Sequence, residues 1–178
     1  MPHFALSAVG SDRPGIVAAV TGVLVDHGCN LEDTSMSILR GHFAMMLVVT
    51  APEGLDAATL EEALAGAASR FDLVVAVRPI DDEVPPVAGG ETWSVAVYGA
   101  DRPGIVHRFT SLLAEAGVNV VDLTTRVIGD PDRPVYAMVL DVTLPPGLDP
   151  AELSARLDAL AAELGVECSA HLSDADIL

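Results

Sequence analysis

Gly10-Ser11-Asp12-Arg13-Pro14-Gly15-Ile16-Val17 returns 89 residues later as Gly99-Ala100-Asp101-Arg102-Pro103-Gly104-Ile105-Val106, the last six residues unchanged. A short apolar alternating run precedes each copy, Phe4-Ala5-Leu6-Ser7-Ala8-Val9 and Trp93-Ser94-Val95-Ala96-Val97-Tyr98, and a helical pattern follows each. Both copies therefore read as strand-to-helix turns. Glycine lets the backbone turn tightly, Asp is a good helix cap, and Pro suits a first helical turn. The first N–H groups of such a helix lie without partners at the positive end of its dipole, a seat for a carboxylate or a phosphate.

Working outward from the first copy, a strand is expected at 3–9. A helix runs from Pro14 to His27 with Ile16, Val20, Val23, Leu24 and His27 at helical spacing, and Gly28 stops it. Asn30 to Leu39 reads as a strand, Arg40-Gly41-His42 as a tight turn, and Phe43 to Thr50 as the hairpin partner. A helix from Asp56 to Arg70 and a strand from Leu73 to Val77 complete the unit. The order then repeats: strand 93–99, helix 103–116 stopped by Gly117, a strand from Asn119, helix 149–164 and strand 166–172. Asn119 stands 89 residues after Asn30, whereas Met138 stands 93 after Met45, so the second hairpin turn, around 129–134, is four residues longer.

The expected fold is α+β, two ferredoxin-like β-α-β-β-α-β units, each an antiparallel sheet with both helices on one face. The divisions are 1–80, a linker at 81–91 rich in Pro and Gly, 92–172, and a tail at 173–178. Ala44-Met45-Met46-Leu47-Val48-Val49 is apolar on both faces, more than a one-sided sheet requires. A second unit or a second chain is expected on the bare face.

Acidic residues outnumber basic ones 26 to 9, and all nine basic residues are Arg, for a formal charge of −17. So few cations cannot build a basic patch, which speaks against direct contact with nucleic acid or an anionic membrane. No apolar run has the length of a membrane span, and the N-terminus has no signal-like pattern, so a cytoplasmic protein is expected. Cys29 and Cys168 read as two separate buried thiols. The five histidines show no metal-ligand spacing, no nucleophile signature accompanies any Ser, and neither catalytic residues nor a cofactor are expected.

The motif residues resemble those of the ACT domain. Both the Asp-Arg-Pro-Gly-Ile-Val turn and a Gly-X-Asn before the second strand (Gly28-Cys29-Asn30, Gly117-Val118-Asn119) carry the resemblance, which covers nearly the whole chain. A chain of two such units looks like the glycine cleavage system transcriptional repressor family and similar stand-alone regulators. The resemblance implies a regulatory, non-enzymatic protein that binds a small amino acid, glycine first and serine next, between paired domains. It also implies a homodimer and a protein partner such as a DNA-binding regulator. The implied ligand-binding residues are Asp12, Arg13, Pro14, Gly15, Ile16, Val17, Asn30 and Leu31, and in the second unit Asp101, Arg102, Pro103, Gly104, Ile105, Val106, Asn119 and Val120. Many amino-acid-binding members carry Asn where this chain has Asp12 and Asp101.

The plainer readings are Asp12 and Asp101 as helix caps, Gly15 and Gly104 as relief of crowding between helix and sheet, Arg13 and Arg102 as solvated loop residues, and Asn30 and Asn119 as strand starts held by a local hydrogen bond. The alternatives in function are a ligand-free ACT assembly module and an allosteric regulatory subunit of an amino-acid-metabolising enzyme.

Overall fold

A computed structural model describes residues 1–81, 90–129 and 134–173. The expected linker and tail lie mostly outside the described residues, as do residues 130–133 of the second hairpin turn. The chain divides into two compact units, Met1–Val84 and Pro85–Leu178, each with its own apolar core.

Unit 1 runs β1 (His3–Ser11), α1 (Ile16–Asp26), β2 (Asn30–Leu39), β3 (His42–Thr50), α2 (Ala57–Phe71) and β4 (Leu73–Ile80), with sheet order β2-β3-β1-β4. Unit 2 repeats it as β5 (Thr92–Gly99), α3 (Ile105–Glu115), β6 (Asn119–Ile128), β7 (Val135–Thr143), α4 (Pro150–Leu164) and β8 (Val166–Leu172), in the order β6-β7-β5-β8. Every ladder is antiparallel. These are two ferredoxin-like sheets with helices on one face.

Side-chain periodicity explains the layering. Phe43, Met45, Leu47 and Val49 of β3 are buried at period two, as are Tyr136, Met138, Leu140 and Val142 of β7. The helices answer at period four with Ile16, Val20 and Leu24 in α1 and Ile105, Phe109 and Leu113 in α3. Within unit 1 the opposite face of β3 has no helix over it, and Met46 there is 56% exposed. Strands β2 and β6 lie at the sheet edges, exposed along nearly their whole length on both faces.

Both motif helices end alike. Gly28, at φ 70°, donates to Val25 O, and Cys29 N donates to Leu24 O; Gly117, at φ 71°, and Val118 repeat the pair on Ala114 and Leu113. This Schellman closure turns the chain into β2 and β6. In the first hairpin, Arg40 (φ 51°) and Gly41 (φ 81°) are both left-handed, the signature of a type I′ turn, and His42 already belongs to β3.

The other two helices are capped by side chains: Asp56 accepts from Thr59 N and Asp149 from Ala151 N, each at 2.8 Å. The backbone bond from Thr59 is the main cause holding the Asp56 carboxyl below its usual range. A carboxyl lowered by folding stabilises the native state above its unfolded pKa, and that contribution is lost as pH falls through the folded value. The melting point is accordingly expected to fall as pH drops below about 4. Asp56→Asn, which keeps an acceptor without the charge, should flatten that fall; an unchanged pH profile would remove the cap from the account.

Candidate functional site

The site begins where the central strand leaves the sheet. Gly10 pairs with Leu73 and Gly99 with Val166. A Cβ on Gly10 would lie 2.7 Å from Asp72 O, and one on Gly99 2.6 Å from Cγ1 of Val166. The first glycine of each motif thus lets the outer strand approach. The second serves the turn: Gly15 and Gly104 have φ 97° and 94°, and an added Cβ would meet only Phe71 at 3.6 Å in the first unit and nothing within 4 Å in the second. Left-handed backbone, rather than crowding, is what asks for glycine there.

The expected Asp caps and the helix start at Pro14 need correction. Gly15 and Gly104 occupy the N-cap positions, no cap side chain bonds there, and the helices start at Ile16 and Ile105. Asp12 and Asp101 stand three residues before those glycines, too early to occupy the cap, and both are exposed. Asp12 is tied instead through its backbone N–H, which donates to Gly41 O at 2.9 Å. The first intrahelical bonds are Ala19 N to Gly15 O and Arg108 N to Gly104 O, each 2.9 Å, so the N–H groups ahead of them point past the helix end. Side-chain caps therefore close α2 and α4 but leave the two motif helices open.

Around each open end, Ile16 and Ile105 anchor the helix in the core at 1% and 2% exposure. Val17 is exposed and Val106 half-buried; Arg13, Pro14, Arg102 and Pro103 are exposed. Arg102 is pinned, its Nη1 donating to Leu164 O at 3.2 Å. In each unit the turn residues come together at the end of the central strand.

The strand residues do not join them. Asn30, exposed, is the first residue of β2; it pairs with Thr50, which pairs with His3 at the beginning of β1. Asp12 follows Ser11, which pairs with His42, opposite Leu39 at the far end of β2. Asn30 and Asp12 thus stand at opposite ends of one sheet, roughly 30 Å apart along strands of this length. Asn119, opposite Thr143 and Thr92, is separated from Asp101 in the same way. Leu31 and Val120, half-buried, face the helix side opposite Val49 and Val142. Both edge strands then bulge at the next residue, Glu32 and Val121. Glu32 reaches back across the sheet to accept from the Thr50 hydroxyl, and lies 3.3 Å from His3 Nε2.

Sequence reasoning misses Tyr136 and Thr125, which stand beside the second turn; the signal that could find them is a difference between the repeats, Phe43 against Tyr136 and Met36 against Thr125. Both thiols are free. Burial raises the Cys29 thiol, and burial, with Asp158 adding, pushes Cys168 up to about 11, so both are protonated and poorly nucleophilic near neutrality. Among the described residues, no group of three or more His, Cys, Asp or Glu converges as a metal site, and no helix is long and apolar enough to cross a membrane.

Comparison with known proteins supplies the family. Residues 3–78 and residues 93–161 each match a model described as the ACT domain. The glycine cleavage system transcriptional repressor of Escherichia coli is 27% identical over 173 residues, 96% of this chain and 90% of that protein. A phosphoserine phosphatase of Mycobacterium tuberculosis is 29% identical over 91% of this chain but only 39% of its own length. A crystal structure of an unknown protein from Galdieria sulphuraria superposes with a TM-score of 0.82 at 29% identity, covering 97% of this chain and 98% of that one.

Proposed function

The chain belongs to the ACT-domain family, in two tandem copies, and on that premise we propose that it is a regulatory protein without catalytic activity of its own. It binds a small free amino acid, glycine first and serine next, and signals through a protein partner such as a DNA-binding regulator of glycine metabolism. The observation that carries the reading is the pair of open helix ends: α2 and α4 are closed by Asp side chains, while the two helices behind the repeated motif are not. The N–H groups at these ends donate to a carboxylate, and the exposed carboxylates of Asp12 and Asp101 accept from an ammonium close by. Few ligands besides an α-amino acid carry both charges as substituents of one carbon. A formal charge of −17 supports a protein partner, rather than DNA itself, as the recipient of the signal.

The distance between turn and Asn gives this reading a requirement. A sheet edge that pairs antiparallel with its own copy sets the start of one strand beside the end of the other. A second copy of the chain, joined along the exposed β2 or β6 edge, brings its Asn to the level of the turn and completes the site. Light scattering is expected to show a species of twice 18.4 kDa, strengthened by ligand. A monomer at every concentration, with amino acid present, would contradict the shared site.

A panel of free amino acids in thermal melting tests the ligand. Glycine and serine are expected to raise the melting point, and large aromatic or basic amino acids to leave it unchanged. No rise with any amino acid favours the assembly-module reading instead. The phosphatase match supports a second reading, an allosteric regulatory subunit, since it places the matched region beside a longer remainder in that protein. The two readings share the ligand and part at the partner, an enzyme or a DNA-binding protein.

A further inference from the structure

The two turns share a backbone and differ in what stands beside them. Tyr136 of β7 pairs with Gly99 on one side and Val127 on the other, which sets it where β5 runs into the turn. It belongs to the helix-facing row of β7, and at 9% exposure its ring is buried. Thr125 of β6, opposite Met138, faces the same side one strand away and is exposed. The two side chains therefore stand on one face of neighbouring strands, two residues apart in register; burial is the main cause raising the Tyr136 phenol, with Thr125 opposing and the Asp101 carboxylate of the turn adding. A phenol and an alcohol side by side each offer an O–H donor and lone pairs to a ligand.

The first unit has none of this. Phe43, paired with Gly10 and Ile38, is 1% exposed, and Met36 stands opposite Met45. Phe71 lies beneath Gly15, where the second unit has Leu164, whose carbonyl holds Arg102. On the helix-facing side, the first turn is flanked by Phe43, Met36 and Phe71 and the second by Tyr136 and Thr125, while Ser11 of the first turn, on the opposite face of β1, is replaced by Ala100.

We propose that Tyr136 and Thr125 make the turn of the second unit selective for a small amino acid bearing a side-chain hydroxyl, and that the first turn takes no part in this selection. The inference rests on the amino-acid-binding reading above and adds to it an inequality between the two sites. An apolar wall cannot reward a ligand hydroxyl, whereas a Tyr–Thr pair rewards it with a hydrogen bond and leaves a poorer match for the isosteric ligand that lacks it.

Titration calorimetry of serine, alanine and glycine into the full chain and into Tyr136→Phe and Thr125→Val tests it. The wild-type chain is expected to bind serine about five- to tenfold tighter than alanine, the effect of one hydrogen bond. Tyr136→Phe, close in shape, should bring the two ligands to near parity, and Thr125→Val, at an exposed position, should move the ratio the same way. Equal serine and alanine affinities in the wild type, or an unchanged ratio in both variants, overturns the inference and leaves amino-acid binding intact. No heat from any of the three ligands overturns the amino-acid reading, and this inference with it.

Discussion

Gly10→Ala and Gly99→Ala are each expected to cost about 1–3 kcal/mol of stability, the usual range for forcing atoms into a packed site. The added methyl carbon of Gly99→Ala would meet Val166 at 2.6 Å from Cγ1, 3.0 Å from Cβ and 3.2 Å from Cα. Turning one rotamer relieves only the first of these, so β5 and β8 must separate. At Gly10 the obstacles are Leu73 Cδ2 and the Asp72 carbonyl oxygen, both at 2.7 Å, and the second is backbone and moves only with the α2–β4 connection. Gly15→Ala and Gly104→Ala fail for a different reason. Space is available, and the cost, about 1–2 kcal/mol, comes from a left-handed φ that a Cβ opposes. Denaturant unfolding of the four variants, together with Gly15→Asn and Gly104→Asn, separates the two mechanisms. Asn tolerates left-handed backbone and should recover part of the loss at the turn positions. Wild-type stability in Gly99→Ala would show that the close approach of β8 is not what the first glycine is for.

The second large effect is that of the ligand on stability. Glycine has five non-hydrogen atoms, and at about 1.5 kcal/mol per atom for the best tiny ligands the ceiling is about 7.5 kcal/mol, a Kd of a few micromolar. A sensor of an abundant metabolite works at weaker affinity. At a hundredfold excess over Kd the native state gains about 2.7 kcal/mol, whatever the Kd. For a chain of this size that is a rise of roughly 5–10 °C in melting point. Asp12→Ala with Asp101→Ala should abolish most of the rise while the unliganded melting point holds, because neither side chain caps its helix. An unliganded double variant much less stable than the wild type would mean that these carboxylates support the fold.

The repeated octapeptide makes the architecture legible in the sequence itself. It marks the strand–helix turn twice, and the matching glycines Gly28 and Gly117 set the strand starts. Alternation in β3 and β7 identifies the buried rows, since one buried face imposes period two on the sequence. Cap geometry is not legible. Asp, Pro and Gly are all helix-start residues, and their order alone does not say which of them takes the cap; the left-handed φ of Gly15 decides it. The separation of Asn30 from Asp12 is also hidden, because it follows from sheet order. With β3 between them, β1 and β2 run in the same direction, so the start of β2 lies at the start of β1 and away from the turn. Tyr136 and Thr125 stay hidden for as long as the repeats are compared only for what they share. The mark they leave in the sequence is a polar residue where the other copy is apolar, Tyr136 against Phe43 and Thr125 against Met36.

The proposal that the open helix ends seat an amino acid is tested most directly by calorimetric titration of glycine and serine into the chain. Saturable heat is expected for at least one of the two, with a Kd between about ten micromolar and a few millimolar, and is expected to be lost in Asp12→Ala/Asp101→Ala. A flat titration for both, at concentrations up to tens of millimolar with the chain folded and dimeric, would contradict it.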